Sequence, residues 1–322
     1  MKASRIYDIK CSIYVIIQTE LGPLLRRDTN GNAMLFSRTF NFIIVYAALR
    51  NFVKDQCKKS FAYFYIMEKQ LQVSYIQYDI TWETPEKNKA YIDTLILDNI
   101  KTDLLILPEM FTTGFSMNPA AMAETMNGET VLWMQHLARK IDALVLGSII
   151  IIDEGNYYNR LLACFPDGRL RYYNKKHLFG KDFEQKEYTA GQKLLIIEHK
   201  GWKICPLICY DLRFPVWSRN IQDYDLLVYI ASWPETRIHH WNALLKARAI
   251  ENQSYVVGVN RIGKDGLNLD YIGYSQLISY DGQILQHAQE KQGIFHTQVE
   301  DKHLTYRSKL NFLRDREDYT MN

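Results

Sequence analysis

Three side chains with complementary chemistry each stand just past an apolar run: Glu109 after residues 103–107, Lys175 after residues 170–174 and Cys209 after residues 204–208. A carboxylate can take a thiol proton and later pass it to a leaving amine. A thiol can attack a carbonyl or nitrile carbon, and an ammonium can offset charge on the tetrahedral intermediate. The cation also favours thiolate, lowering a free cysteine pKa from about 8.5. Such chemistry requires no histidine. Each residue has a plainer reading as well, since free cysteine is among the most buried residue types and Glu109 after Pro108 could be an ordinary loop acid.

The elements that must hold these groups follow from periodicity. Around Cys209 the segment 201–215 reads as a short apolar strand that breaks into the polar, aromatic run Tyr210, Asp211, Leu212, Arg213 before Pro215. A thiol there is held out of the sheet, and the amides after it can face a developing oxyanion. From residue 71 strands and helices alternate: a strand at 71–80, a helix at 85–100, and the nearly continuous apolar run 103–107, a pattern that suggests burial on both faces. A second helix at 129–141 leads to a strand at 143–152, and turn residues at 153–156 and 166–168 bracket a further strand. Beyond the charged loop 177–191 come strands at 193–199 and 203–208, a helix at 216–222 and a strand at 225–231. A helix at 239–253 and a strand at 255–261 follow, and strands at 274–280 and 283–289 complete the sheet. In the 239–253 helix, Trp241, Leu244, Leu245, Ala249 and Asn252 mark one face at helical spacing. Residues placed just after strands converge at a sheet edge, where crevices of α/β folds lie.

Composition narrows the partners. The 322 residues carry 47% hydrophobic and 13% aromatic side chains, enough for a sizeable core, with a formal net charge of only +3. Lys and Arg are interspersed with Asp and Glu, so no basic face argues for nucleic acid, and a small-molecule partner is expected. Five cysteines, an odd and irregular set, form no disulfide framework and fit a reduced, cytoplasmic setting. Cys205 and Cys209 would lie roughly 13 Å apart on a strand at ~3.3 Å per residue, too far to share a metal. The eight histidines are dispersed, and no metal or cofactor is expected.

Residues 1–66 do not continue this pattern. Their apolar patches, 11–17 and 40–49, are shorter than the about 20 residues of a membrane-spanning helix, and no membrane role is expected. The segment reads as an extension outside a single domain covering residues 67–322, and the expectation is that it is non-native, translated sequence upstream of a true start at Met67. An interfacial anchor built on its Arg and aromatic residues is the competing reading.

The words around the three reactive residues, Leu107-Pro108-Glu109-Met110, Asn174-Lys175-Lys176-His177-Leu178-Phe179 and Leu207-Ile208-Cys209-Tyr210-Asp211-Leu212-Arg213-Phe214, resemble the signature motifs of the nitrilase (carbon-nitrogen hydrolase) superfamily. The resemblance covers about residues 70 to 300. It implies an α/β fold, a four-layer α-β-β-α sandwich commonly assembled as a homodimer. It also implies Glu109 as general base, Lys175 rather than Lys176 as oxyanion stabiliser, Cys209 as nucleophile, and Glu184 as the second glutamate upstream of Gly191. The segments 231–234, 241–253 and 258–263 resemble the omega-amidase branch, whose members release ammonia from 2-oxo acid monoamides such as 2-oxoglutaramate and 2-oxosuccinamate. Aromatic residues Phe115, Tyr210 and Trp233 and cations Arg213, Arg248 and Arg261 stand near the motifs, and Arg248 or Arg213 is the expected partner of a substrate carboxylate. Arg213 paired with Asp211, and Trp233 in the core, are the plainer alternatives. A generic aliphatic amidase, a carbamoyl amino acid hydrolase or a nitrilase would use the same three residues. A catalytically inactive scaffold protein is a reading of another class.

Overall fold

The computed structural model describes residues 69–96 and 100–316, together with the short antiparallel ladder of Arg26–Arg27 and Ala33–Met34. The chain divides into the units Met1–Met67 and Glu68–Asn322. The apolar patches at 11–17 and 40–49 lie outside the described residues.

Largely apolar runs make the central strands of the second unit, and polar edges follow outward from them. In the first sheet the strands are β1 (Gln70–Gln77), β2 (Leu104–Ile106), β3 (Leu144–Asp153), β4 (Asn156–Cys164) and β5 (Leu170–Asn174). The second sheet contains β6 (Ile197–His199), β7 (Trp202–Ile208), β8 (Leu226–Ala231), β9 (Tyr255–Asn260), β12 (Gln276–Ile278) and β13 (Ile284–His287). A small hairpin, β10 (Ile262–Lys264) with β11 (Asp270–Ile272), stands apart, and β14 (Gly293–Glu300) returns to the first sheet beside β1. Strand orders are β14-β1-β2-β3-β4-β5 and β13-β12-β9-β8-β7-β6. Each sheet has three parallel strands at its centre and antiparallel flanks. Parallel neighbours need crossovers: α1 (Pro85–Leu95) and α2 (Glu129–Ile141) supply them in the first sheet, and in the second α3 (Ile238–Asn252) joins β8 to β9 while the short turns Cys209–Arg213 and Pro215–Ser218 join β7 to β8.

Period-two alternation sorts the buried side chains into layers. Leu104, Ile106, Leu144 and Leu146 join one core with residues of the second sheet, while their neighbours Leu105, Leu107, Val145 and Ile149 pack with Ile92 of α1 and Val131, Met134, Leu137 and Ala138 of α2. On the far side, α3 buries Trp241, Leu245, Ala249 and Asn252, with Leu244 half-buried, as the helical spacing requires. Gly258 allows this approach, because a Cβ there would stand 2.4 Å from Leu245 Cδ1. The result is the four-layer α-β-β-α sandwich. Among the described residues no helix is long and apolar enough to cross a membrane.

The structure departs from the sequence expectation in several places. The strand at 193–199 is ordered only as Ile197–His199, and the helix at 216–222 is the single turn Pro215–Ser218, ended before Asn220 turns to Tyr224 and Asn252. The β14 strand and the helix α4 (Lys302–Lys309) were not foreseen, because β14 is a half-buried edge strand whose polar residues hide its alternation. One sheet edge was expected to gather the reactive residues. Instead, β2 and β5 of the first sheet and β7 of the second deliver them from opposite sides.

Candidate active site

Glu109 is placed by the way β2 ends. Leu107 N–H still bonds to Leu146 O at 2.8 Å, Pro108 stops the ladder, and Met110, in left-handed backbone at φ 44°, gives its N–H to Ser148 Oγ at 2.8 Å. Lys175 leaves β5 with its N–H on Asn159 O at 3.0 Å and its carbonyl accepting from Gly191 N–H at 2.8 Å. Residue 191 must lack a side chain here, since a Cβ would stand 2.1 Å from Asn174 O. Cys209 opens the 3-10 turn Cys209–Arg213 at φ 42°, a conformation costly for a residue other than glycine. Backbone held in such a state recurs at functional sites. The π-helical turn Gly180–Glu184 within the charged loop presents Glu184.

These side chains meet in a buried network. Lys175 Nζ donates to Glu109 Oε1 at 2.8 Å and to both Glu184 oxygens at 3.0 and 2.9 Å. Asn159 Nδ2 bonds Glu109 at 2.8 Å and Glu184 at 3.2 Å, and the Ser232 N–H completes Glu109 through Oε2 at 2.8 Å. Glu109 and Glu184 are 0% exposed and Lys175 is 1% exposed, so these charges can persist only because they are paired. Burial alone would lower the Lys175 pKa, but the carboxylates of Glu109 and Glu184 outweigh it and hold the ammonium above its ordinary range. Burial raises the Glu184 carboxyl, against the pull of Lys175.

Cys209 is half-buried, with Sγ 3.9 Å from Ser232 O. Burial first and the Glu109 charge second push its thiol well above the ordinary range, and Lys175 only partly opposes them. This corrects the expectation that the cation would leave a thiolate: the resting group is a thiol, and it needs a base.

Asp211 ties the lysine and cysteine segments together. Its Oδ1 accepts from His177 N–H at 3.0 Å and lies 2.8 Å from His177 Nδ1. Its Oδ2 accepts from Tyr173 Oη at 2.8 Å and Ile208 N–H at 3.1 Å. Arg213 is therefore not its partner.

Cys209 opens on a cavity of about 340 Å³ that is mostly apolar, lined by Phe115, Tyr210, Trp233 and Tyr271, with Arg213 and Arg237 among its polar groups. Phe115 also lies under Lys175 Nζ, 4.9 Å from the ring centroid. Trp233 is buried in the core and faces the cavity as well, its N–H donating to Asn260 Oδ1 at 2.8 Å. Arg248 does not line the cavity: it is 4% exposed and turned to Leu212 O at 2.6 Å and Glu251 Oε1 at 3.0 Å. Arg261 is turned away too, toward Asp79 and backbone carbonyls. Sequence reasoning missed Asn159, Ser232 and Arg237. No motif marks Asn159 on its strand, while Ser232 lies inside the quoted 231–234 segment and Arg237 just beyond it. Among the described residues no group of three histidine, cysteine or acidic side chains is arranged to hold a metal ion.

Known proteins resemble this chain in sequence and in fold. The carbon-nitrogen hydrolase family model matches residues 72–304. The chain is 43% identical over 222 residues to the omega-amidase YafV of Escherichia coli, covering 69% of this chain and 86% of that protein. It is 32% identical over 234 residues to the 2-oxoglutaramate amidase of Bacillus subtilis, covering 71% and 90%. A CN-hydrolase superfamily protein from Xanthomonas campestris, whose crystal structure has an arsenic adduct in the active site, superposes with a TM-score of 0.77 at 38% identity, covering 79% of this chain and 99% of that one.

Proposed function

The chain belongs to the carbon-nitrogen hydrolase family, and from that premise we propose that it hydrolyses the ω-amide of small 2-oxo dicarboxylate monoamides, 2-oxoglutaramate and 2-oxosuccinamate, with release of ammonia. Cys209 Sγ attacks the amide carbon while Glu109 takes the thiol proton, and Lys175 faces the oxyanion. Collapse of the tetrahedral intermediate breaks the carbon-nitrogen bond, with Glu109 returning the proton to the departing ammonia. A water deprotonated by Glu109 then cleaves the thioester, regenerating the thiol and giving the 2-oxo dicarboxylate. Glu184 keeps Lys175 charged and aimed.

The observation that carries this reading is the buried Glu109–Lys175–Glu184 network beside a half-buried thiol at the floor of a cavity. The two relatives named for omega-amide chemistry support the substrate class. The test is ammonia release by the purified protein from 2-oxoglutaramate, 2-oxosuccinamate, valeramide, an N-carbamoyl amino acid and the nitrile matching 2-oxoglutaramate. The first two should turn over fastest. Equal rates on valeramide would indicate a generic aliphatic amidase, faster turnover of the nitrile a nitrilase, and preference for the carbamoyl compound a carbamoyl amino acid hydrolase. Inertness toward all of them would indicate a scaffold. The same reading includes a reduced cytoplasmic setting, supported by free Cys164, Cys205 and Cys209. It also includes a hydrolase unit beginning near Met67 and a homodimer, the latter open to light scattering.

A further inference from the structure

One polar group at the cavity is left over by the buried network. Ser232 follows the last residue of β8, lines the cavity at Cys209 and is 6% exposed. Its Oγ is buried, and among the described residues it has no hydrogen-bond partner. Buried polar groups are nearly always paired, so an unpaired hydroxyl beside a reactive thiol calls for an explanation. No other buried side-chain group among the described residues combines the lack of a partner with a place on the cavity wall.

The backbone of residue 232 stands between the base and the nucleophile. Its N–H donates to Glu109 Oε2 at 2.8 Å, and its carbonyl oxygen lies 3.9 Å from Cys209 Sγ. The following residue is clamped on both sides, Trp233 N–H donating to Asn260 Oδ1 at 2.8 Å and Trp233 O accepting from Asn260 Nδ2 at 2.9 Å, so the segment holds its place. The two oxygens of Glu109 are unevenly used. Oε1 accepts from Lys175 Nζ and Asn159 Nδ2, both at 2.8 Å, while Oε2 accepts only from the Ser232 N–H among the described residues. An ionised carboxylate offers about four lone-pair sites over its two oxygens, so Oε2, next to residue 232, keeps the place that receives the thiol proton.

We propose that the Ser232 hydroxyl and Glu109 Oε2 together form the leaving-group site: Oγ accepts an N–H of the amide nitrogen as it departs, and then an O–H of the water that takes its place. The inference rests on the reading of Cys209 as an amide-cleaving nucleophile. In the tetrahedral intermediate the nitrogen carries two hydrogens and a lone pair. Glu109 Oε2 returns the thiol proton to that lone pair, the carbon-nitrogen bond breaks, and one of the original hydrogens stays on Ser232 Oγ until ammonia leaves. The water that follows gives one proton to Glu109 and points its other hydrogen at Ser232. Its oxygen attacks the thioester carbon, the carbon-sulfur bond breaks, and the proton on Glu109 passes to sulfur. Fixing both hydrogens of the water sets the direction of its attacking lone pair. Among the described residues no protein group competes for this acceptor.

The experiment compares wild type, Ser232→Ala and Ser232→Thr on 2-oxoglutaramate and on the ω-methyl ester of 2-oxoglutarate. The ester gives the same acyl-enzyme but departs through an oxygen that bears no hydrogen. In Ser232→Ala, kcat/KM for the amide should fall roughly three- to tenfold relative to the ester, the size of one net hydrogen bond. With the ester, slower attack by water should raise the fraction of Cys209 that carries the acyl group at steady state, read by mass spectrometry of quenched samples. Ser232→Thr keeps the acceptor and should restore most of the amide-to-ester ratio. The melting temperature of Ser232→Ala should not fall, because the hydroxyl removed bonds nothing among the described residues. An amide-to-ester ratio unchanged in Ser232→Ala would overturn the inference, as would equal losses on both substrates with a lowered melting temperature, the mark of a purely structural residue. A wild type that neither releases ammonia from the amide nor is acylated at Cys209 would instead sink the functional reading itself.

Discussion

Asp211 is buried without exposure and accepts four contacts that join the segment after Lys175 to the strand before Cys209. Asp211→Asn keeps its shape but replaces one acceptor oxygen by a donor. In either amide orientation the NH₂ faces a backbone N–H, that of His177 or that of Ile208. An unmade buried hydrogen bond of this kind costs about 1–3 kcal/mol. At about 2–4 °C per kcal/mol for a domain of 150–250 residues, the melting temperature should fall by roughly 2–12 °C. The larger effect should be on rate, because the same contacts fix the lysine segment relative to the thiol. A misplacement of about 1 Å can cost about 10²-fold, and kcat for 2-oxoglutaramate should drop on that order with a smaller change in KM. Scanning fluorimetry and ammonia release on one preparation give both numbers. Asp211→Asn with a lowered melting temperature and wild-type kcat would refute the positioning argument and leave Asp211 a purely structural acid.

Cys209→Ala should abolish turnover and keep the thermal transition, and mass spectrometry of wild type with a slow substrate should find the acyl adduct on Cys209. An adduct on Cys205 or Cys164 would overturn the assignment, and burial, which pushes the Cys164 thiol up to about 12, argues against it. Glu109→Gln should lower turnover by about 10²–10⁴-fold, yet its Cys209 thiolate, followed by ultraviolet absorbance, should appear at lower pH than in wild type, because the Glu109 charge helps raise that thiol. A thiolate appearing at higher pH in that variant would contradict the electrostatics. The wild-type thiol stays protonated in the folded state above the ordinary value of about 8.5, so its contribution to stability is complete below that pH and is lost as pH rises beyond it. Comparing the pH dependence of unfolding in wild type and Cys209→Ala should show this slope, and identical slopes would exclude it. A chain starting at Met67 should fold and retain full specific activity, since both sheets lie between Gln70 and Glu300. Loss of its thermal transition would show that the preceding residues belong to the core.

The readable parts of the sequence were those where one physical signal dominates. Nearly continuous apolar runs at 103–107, 204–208 and 225–231 read as buried strands, and the residues just after the first two stand at strand ends, which located Glu109 and Cys209. What stayed hidden was whatever depends on a partner distant in sequence. Asn159 lies 50 residues from Glu109 and 25 from Glu184, and a lone asparagine on a strand carries no pattern. Arg248 was misassigned for the same reason: its helical position was legible, but not that Leu212 O and Glu251 would claim its guanidinium. The short edge strands were blurred because half-buried edges admit polar residues on both faces.

The electrostatics of the network suggest why a carboxylate and a lysine can replace the imidazole common in thiol catalysis. Counted as two carboxylates around one ammonium, the cluster carries a net charge of −1, and none of its three side chains is exposed to solvent. In the proposed reaction the thiol proton moves to Glu109 as negative charge forms on the substrate oxygen. The cluster becomes neutral at that step, and the charge it loses reappears on the oxyanion. Total charge is conserved, and both the donor and the recipient of the charge adjoin Lys175, which stays protonated throughout because its pKa lies above the ordinary range. Relocating a charge beside a fixed cation costs far less in a low-dielectric interior than creating one there. A thiolate formed in advance would add a second uncompensated negative charge to the same site, which is why burial and Glu109 keep Cys209 protonated until the substrate arrives.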